Sequence, residues 1–112
     1  FARDVPVARH VQDYALRLLQ ATHPDHESAP EITRQYVRVG SSPRGAQAIL
    51  LSAKVRALFD GRFNVSSEDV RKSALPSLRH RVILNFEGEA EGVETDEILA
   101  EIIETTPENA SD

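Results

Sequence analysis

The amino-acid sequence predicts an all-α domain, a small helical bundle with room for one short strand pair. Apolar residues recur at helical spacing in separate stretches along the chain. Those stretches are bracketed by residues that start and stop helices. The 112 residues, 40% apolar and 28% charged, suit one core without covalent staples, and cysteine is absent.

The first stretch, Val7 to Thr22, puts Val7, Val11, Tyr14, Ala15, Leu18 and Leu19 on one helical face. Pro6 suits its first turn, where a missing N–H costs nothing, and Asp4 or a neighbour can cap it. His23-Pro24 ends it, because the residue before proline avoids the helical region. From His23 to Arg34 two prolines and few large apolar residues predict a loop. Tyr36-Val37-Arg38-Val39 reads as extended, up to Gly40. Ser42 as hydroxyl N-cap and Pro43 at the first helical position then open the clearest helix. Its apolar stripe is Ala46, Ile49, Leu50, Ala53, Ala57 and Leu58, and it stops at Asp60-Gly61. The alanines permit close packing, so this helix is expected at the centre.

Ser66, with Asp69 three residues on, predicts a capping box for a third helix. Val70, Ala74 and Leu75 face inward, and Pro76 is expected to interrupt it. Leu78 to Leu84 is apolar and either helical or extended; if extended, it can pair with Tyr36 to Val39. Glu87-Gly88-Glu89-Ala90-Glu91 reads as a solvated loop. Thr95 is expected to cap a last helix with Asp96 and Glu97 in its first turn, burying Ile98, Leu99, Ile102 and Ile103 before Pro107 closes it. Residues 1–106 are thus one domain, with 107–112 a frayed acidic tail.

Charge is divided unevenly. The thirteen Lys and Arg all fall between Arg3 and Arg81, where eight acids leave a net +5; the remaining ten acids lie beyond, with no base among them. This pattern suits a basic face with an anionic partner and a separate acidic segment, or two halves that neutralise each other inside one fold. Nucleic acid is a poor partner, because aromatic residues are 5% of the chain and no base-reading motif accompanies the bases. No apolar run approaches 18 residues and no signal peptide opens the chain, so a soluble, cytoplasmic domain without a membrane span is expected. Phe1 in a chain without methionine suggests a piece of a longer protein.

The chemistry concentrates in Gly40-Ser41-Ser42-Pro43-Arg44-Gly45. A helix start carries unpaired N–H groups and partial positive charge, so Arg44 in the first turn is misplaced unless an anion shares the site. Gly40 and Gly45 would then let the backbone approach that anion. The alternative is an ordinary capped helix with an exposed arginine. Arg79, His80 and Arg81 near another helix end can simply offset its negative pole. His23 and His26 lack third and fourth ligands, so no metal site is expected, and His10 reads as a solvated helix position. No G-x-S-x-G elbow supports a hydrolase triad.

Val39-Gly40-Ser41-Ser42-Pro43-Arg44-Gly45-Ala46 resembles the sensor-2 stretch of MoxR-type AAA+ ATPases, with Gly45 where alanine is common. In the same order, Asp13-Tyr14 with Ala21-Thr22 resembles that family's first lid helix, and Ser66 to Val70 resembles the start of its third. Leu78-Arg79-His80-Arg81, followed by Val82-Ile83-Leu84, resembles its Leu-Arg-His-Arg signature. The resemblance implies an AAA+ lid, whose nucleotide-binding core lies upstream and is absent from this chain. It implies that Gly40, Ser42 and Arg44 meet ATP, with Arg44 the catalytic sensor-2 arginine, and that ATP and magnesium are held mainly by the core. Arg79, His80 and Arg81 would contact the core or an adjacent subunit. Family members form homo-oligomeric rings and act as chaperone-like remodellers of clients that include von Willebrand A-domain proteins. With no G-x-x-x-x-G-K-S/T loop, the isolated chain is not expected to hydrolyse ATP. The other function open to this sequence is a free-standing helical interaction or nucleic-acid-binding module.

Overall fold

The computed structural model describes residues 5–109. In chain order they form α1 (Arg9–Gln20), α2 (Glu31–Tyr36), β1 (Val37–Val39), α3 (Pro43–Phe59), α4 (Ser67–Leu78), β2 (Ile83–Leu84), α5 (Phe86–Glu91) and α6 (Thr95–Thr105). The all-α expectation holds, as does the strand pair: β1 and β2 run antiparallel, with Val37 opposite Leu84 and Val39 opposite Ile83.

The core forms where four helical faces converge. Val11, Tyr14, Ala15 and Leu18 come from α1, Ile49, Ala53 and Ala57 from α3, Val70, Ala74 and Leu78 from α4, and Ile98, Leu99 and Ile102 from α6, all essentially inaccessible to water. Burying each large aliphatic side chain is worth about 1.5–3 kcal/mol against exposure. α3 packs most extensively on α4 and then on α1, and it is the central helix expected from its alanines. Its buried stripe is narrower than predicted, because Ala46, Leu50 and Leu58 are only half-buried. At its end, Arg62 N–H donates to Ala57 O and Gly61 N–H to Leu58 O, satisfying carbonyls that the helix leaves open.

Several local expectations are corrected. α1 begins at Arg9 after Ala8, which has no side-chain cap, so Pro6 precedes the helix; Asp4 lies outside the described residues. The segment 31–36 is helical rather than loop and strand. Pro30 pre-sets its entry, Glu31 favours its positive end, and Thr33 Oγ1 donates to Ala21 O at 2.9 Å, a tertiary bond that outweighs the β-branched composition. The preceding loop is drawn in by Arg34, which donates to the Ala29 and Glu27 carbonyls at 3.1 and 2.9 Å.

Pro76 does not interrupt α4, which continues to Leu78. A proline at 76 leaves the Lys72 carbonyl without its helical donor, and the Arg56 guanidinium of α3 donates to that carbonyl at 3.4 Å. The acidic run 87–91 is not a loop but α5: Asn85 Oδ1 accepts from Gly88 N–H at 2.8 Å, and Asn85 N–H donates to Tyr36 O, tying the helix to the end of α2. The N-cap of α6 is Glu94 rather than Thr95, because the Glu97 carboxylate reaches back to Glu94 N–H at 2.8 Å. After α6, the carbonyls of Pro107 and Glu108 accept from Arg17; residues 110–112 of the expected tail lie outside the described residues.

Candidate functional site

The start of α3 rests on the end of α1. Thr22 is fully buried; its hydroxyl donates to Leu19 O at 2.6 Å and accepts from Ser41 N–H at 3.0 Å. Ser41 is also fully buried, and its carbonyl accepts from His23 Nε2 at 2.6 Å. Both backbone polar groups of Ser41 are therefore held by two consecutive residues. A Cβ on Gly40 would sit 2.5 Å from the Thr22 carbonyl oxygen, and one on Gly45 would collide with Ser41 Oγ and lie 2.8 Å from Leu78 Cδ2. The two glycines thus serve the chain's own close packing. This packing role stands beside the expected one.

Ser42 and Arg44 stand outside this frame. Ser42 is the N-cap residue, but its hydroxyl makes no cap bond, contrary to expectation, and it is exposed; the Ser41 hydroxyl donates to the Ser42 carbonyl instead. The outward side of the first turn is left without a side-chain cap, which suits an external acceptor. Arg44 occupies that turn, exposed, and makes no ion pair among the described residues. Of the predicted site residues, Ser42 and Arg44 are therefore both exposed at the start of α3, whereas Gly40 is buried.

Arg79, His80 and Arg81 lie elsewhere and differ from one another. Arg79 grips Asp96 of α6 with two bonds, Nε to Oδ1 at 2.8 Å and Nη2 to Oδ2 at 3.0 Å, and the Asp96 carboxylate raises the guanidinium pKa further. This pair is the one ion pair among the described residues that joins the basic and acidic parts of the chain. Arg81 donates to the Ser77 carbonyl at the end of α4, the dipole-offsetting role considered above. His80 is exposed.

A second polar assembly was not visible in the sequence. Arg62 clamps Asp69 through two bonds at 2.7 and 2.8 Å and touches Asp60 at 3.1 Å. Asp69 is buried and also accepts from Ser66 N–H and Oγ, closing the predicted capping box. The Arg62 bonds first, then those from Ser66, hold the carboxyl down at about 2 despite its burial. The burial of Thr22, Ser41 and Thr33 is likewise not legible in the sequence, where the one signal is Thr22 just before the helix-ending His23-Pro24. No group of three or more His, Cys, Asp or Glu among the described residues could hold a metal ion, and no helix there is long and apolar enough to cross a membrane.

Residues 29–102 match the family model described as the AAA lid domain. Over 93 residues, 83% of the chain, the sequence is 28% identical to chaperone MoxR1 of Mycobacterium tuberculosis and 31% identical to the uncharacterized protein YeaC of Bacillus subtilis. The chain spans about a quarter of the length of these curated relatives, 25% and 26% respectively. The crystal structure of a provisionally assigned ATPase from Cytophaga hutchinsonii superposes with a TM-score of 0.88 at 33% identity, over 95% of this chain and 32% of that one.

Proposed function

The chain belongs to the AAA lid domain family, and from that premise we propose that it closes over ATP held by the nucleotide-binding core of a MoxR-type ATPase. The observation that carries the reading is Arg44: an exposed guanidinium without an ion-pair partner among the described residues, in the first turn of a helix that no side chain caps. The arrangement fits a phosphate group, since helix dipole and guanidinium together lack a negative partner. Ser42 and Arg44 would meet the ligand, and Gly40 would serve behind them by letting the chain pass Thr22.

Bound ATP, with magnesium held mainly by the core, would supply the anhydride whose hydrolysis drives the machine. Arg44 would add a planar, permanently charged donor that can grip two phosphate oxygens together. In this reading copies assemble into a ring in the cytoplasm and remodel client proteins, a role supported by the chaperone among the relatives.

Turnover of the full-length ATPase tests the assignment. Arg44→Ala should lower kcat roughly a hundredfold, since a charged donor aimed at developing charge is worth about 3 kcal/mol. Arg44→Lys should restore little, because an ammonium lacks the fork. The melting temperature of this chain should stay within the shift expected for about 0.5 kcal/mol, as for other exposed surface substitutions. Unchanged turnover with an intact fold would remove Arg44 from the site.

A further inference from the structure

We propose that Thr22 and His23, at the end of α1, are positioning residues for Arg44, locking the first turn of α3 at the angle from which the guanidinium meets phosphate. The inference rests on the function proposed above and assigns residues outside the stretch Val39 to Ala46.

Five polar or charged residues are buried among the described residues: Thr22, Thr33, Ser41, Asp69 and Ser73. Three of them take part in hydrogen bonds at the consecutive residues 21–23. Thr33 Oγ1 of α2 donates to Ala21 O, Thr22 Oγ1 accepts from Ser41 N–H, and His23 Nε2 donates to Ser41 O. Apolar side chains would fill the same space without desolvating hydrogen-bonding groups. A buried polar network instead specifies one geometry, because each donor and acceptor is satisfied only at one separation and angle. The residue it specifies is Ser41, three positions before Arg44. Two bonds on opposite backbone groups of one residue fix both the position and the direction of the chain as it enters α3. Gly40 tightens this arrangement, since only a residue without Cβ passes the Thr22 carbonyl. Arg44 itself is held by nothing comparable among the described residues, so its placement depends on the turn beneath it.

The test separates positioning from folding. Thr22→Val removes the acceptor for Ser41 N–H at nearly constant volume, and Thr22→Ser restores it. His23→Leu removes the donor to Ser41 O, and His23→Gln offers an amide N–H in its place. In this chain, ¹⁵N relaxation and amide exchange report the local effect without nucleotide. We expect Thr22→Val and His23→Leu to speed exchange at Ser41 by about tenfold or more and to loosen residues 42–45, from backbone order parameters of about 0.85 toward 0.6. Amides in the middle of α4 should keep their protection. In the full-length ATPase both variants should lower kcat about tenfold, on the scale that a misplacement of about 1 Å can cost, with both conservative variants near the parent.

Combined with Arg44→Ala, Thr22→Val and His23→Leu should cause no further loss. A kcat decrease that persists in the Arg44→Ala background, or that accompanies protection lost throughout the fold, would mark a stability defect and overturn the proposal. Turnover at the parent level in Thr22→Val and His23→Leu, while Arg44→Ala remains impaired, would overturn it and leave the function standing. An inert Arg44→Ala would overturn both.

Discussion

Replacing Asp69 with asparagine should change how the stability of this domain depends on acidity, and the size of the effect follows from its contacts. Arg62 and Ser66 together draw the carboxyl from its ordinary 3.8 down to about 2 in the folded chain. The folded value lies below the unfolded one, so the stabilisation is complete above pH 4 and is lost as pH falls from there through 2. At about 1.4 kcal/mol per pH unit the full difference is worth roughly 2–3 kcal/mol. The Arg62 side chain is 37% exposed, and solvent screening reduces the expectation to about 1–2 kcal/mol. Asp69→Asn keeps an oxygen for Ser66 N–H and loses the charge facing Arg62. Urea unfolding near pH 7 should show the variant less stable by that amount, with a melting temperature lower by about 4–8 °C. Repeated at pH 5, 4 and 3, the two curves should converge as the parent loses its advantage. Glu68→Gln, one residue away, removes a carboxylate paired to Lys72 at 3.9 Å with both side chains 59% exposed, and should show no comparable convergence. A stability gap for Asp69→Asn that stays constant from pH 7 to 3 would refute the electrostatic account and assign the cost to geometry.

Ile49→Ala should cost about 2–5 kcal/mol in urea unfolding, whereas Leu50→Ala, at a half-buried position one residue on, should cost less than half of that. Gly45→Ala should destabilise the domain measurably in a thermal melt, despite the better helix propensity of alanine, because the added Cβ collides with Ser41 and crowds Leu78. Ser73→Ala should be neutral or stabilising by up to about 1 kcal/mol, since its buried hydroxyl has no hydrogen-bond partner among the described residues.

The long helices were legible because period, cap and stop agreed: Ser66 with Asp69 opened α4, and Asp60-Gly61 closed α3. The short elements were not, because their local signals are weak and are completed by contacts made elsewhere in the chain. In Glu31 to Tyr36 the local signals, Pro30 and Glu31, are weak, and the bond from Thr33 to Ala21 reaches back twelve positions. For α5, the acidic composition suggested solvation while Asn85 supplied the cap. In the candidate site the outward-facing residues, Ser42 and Arg44, were readable from the motif. Their support was not, since the bonds from Thr22 and His23 cross 18 or 19 positions. The packing role of the two glycines was not legible either, as the space they leave is filled by the distant Thr22 and Leu78 together with Ser41.

The exchange between Pro76 and Arg56 bears on the order in which the domain assembles. A peptide covering α4 alone could form its capped first turns, but beyond Lys72 it would carry an open carbonyl with no donor of its own. The second half of α4 is therefore expected to gain order together with α3, which refolding and unfolding rates would test. Substitutions along their shared seam, Ala53 or Ala74 to glycine for example, would then slow refolding more than they hasten unfolding. Changes on α6, which docks against a completed α4, would speed unfolding instead. A proline that breaks helices elsewhere thus makes the completion of one helix depend on its neighbour.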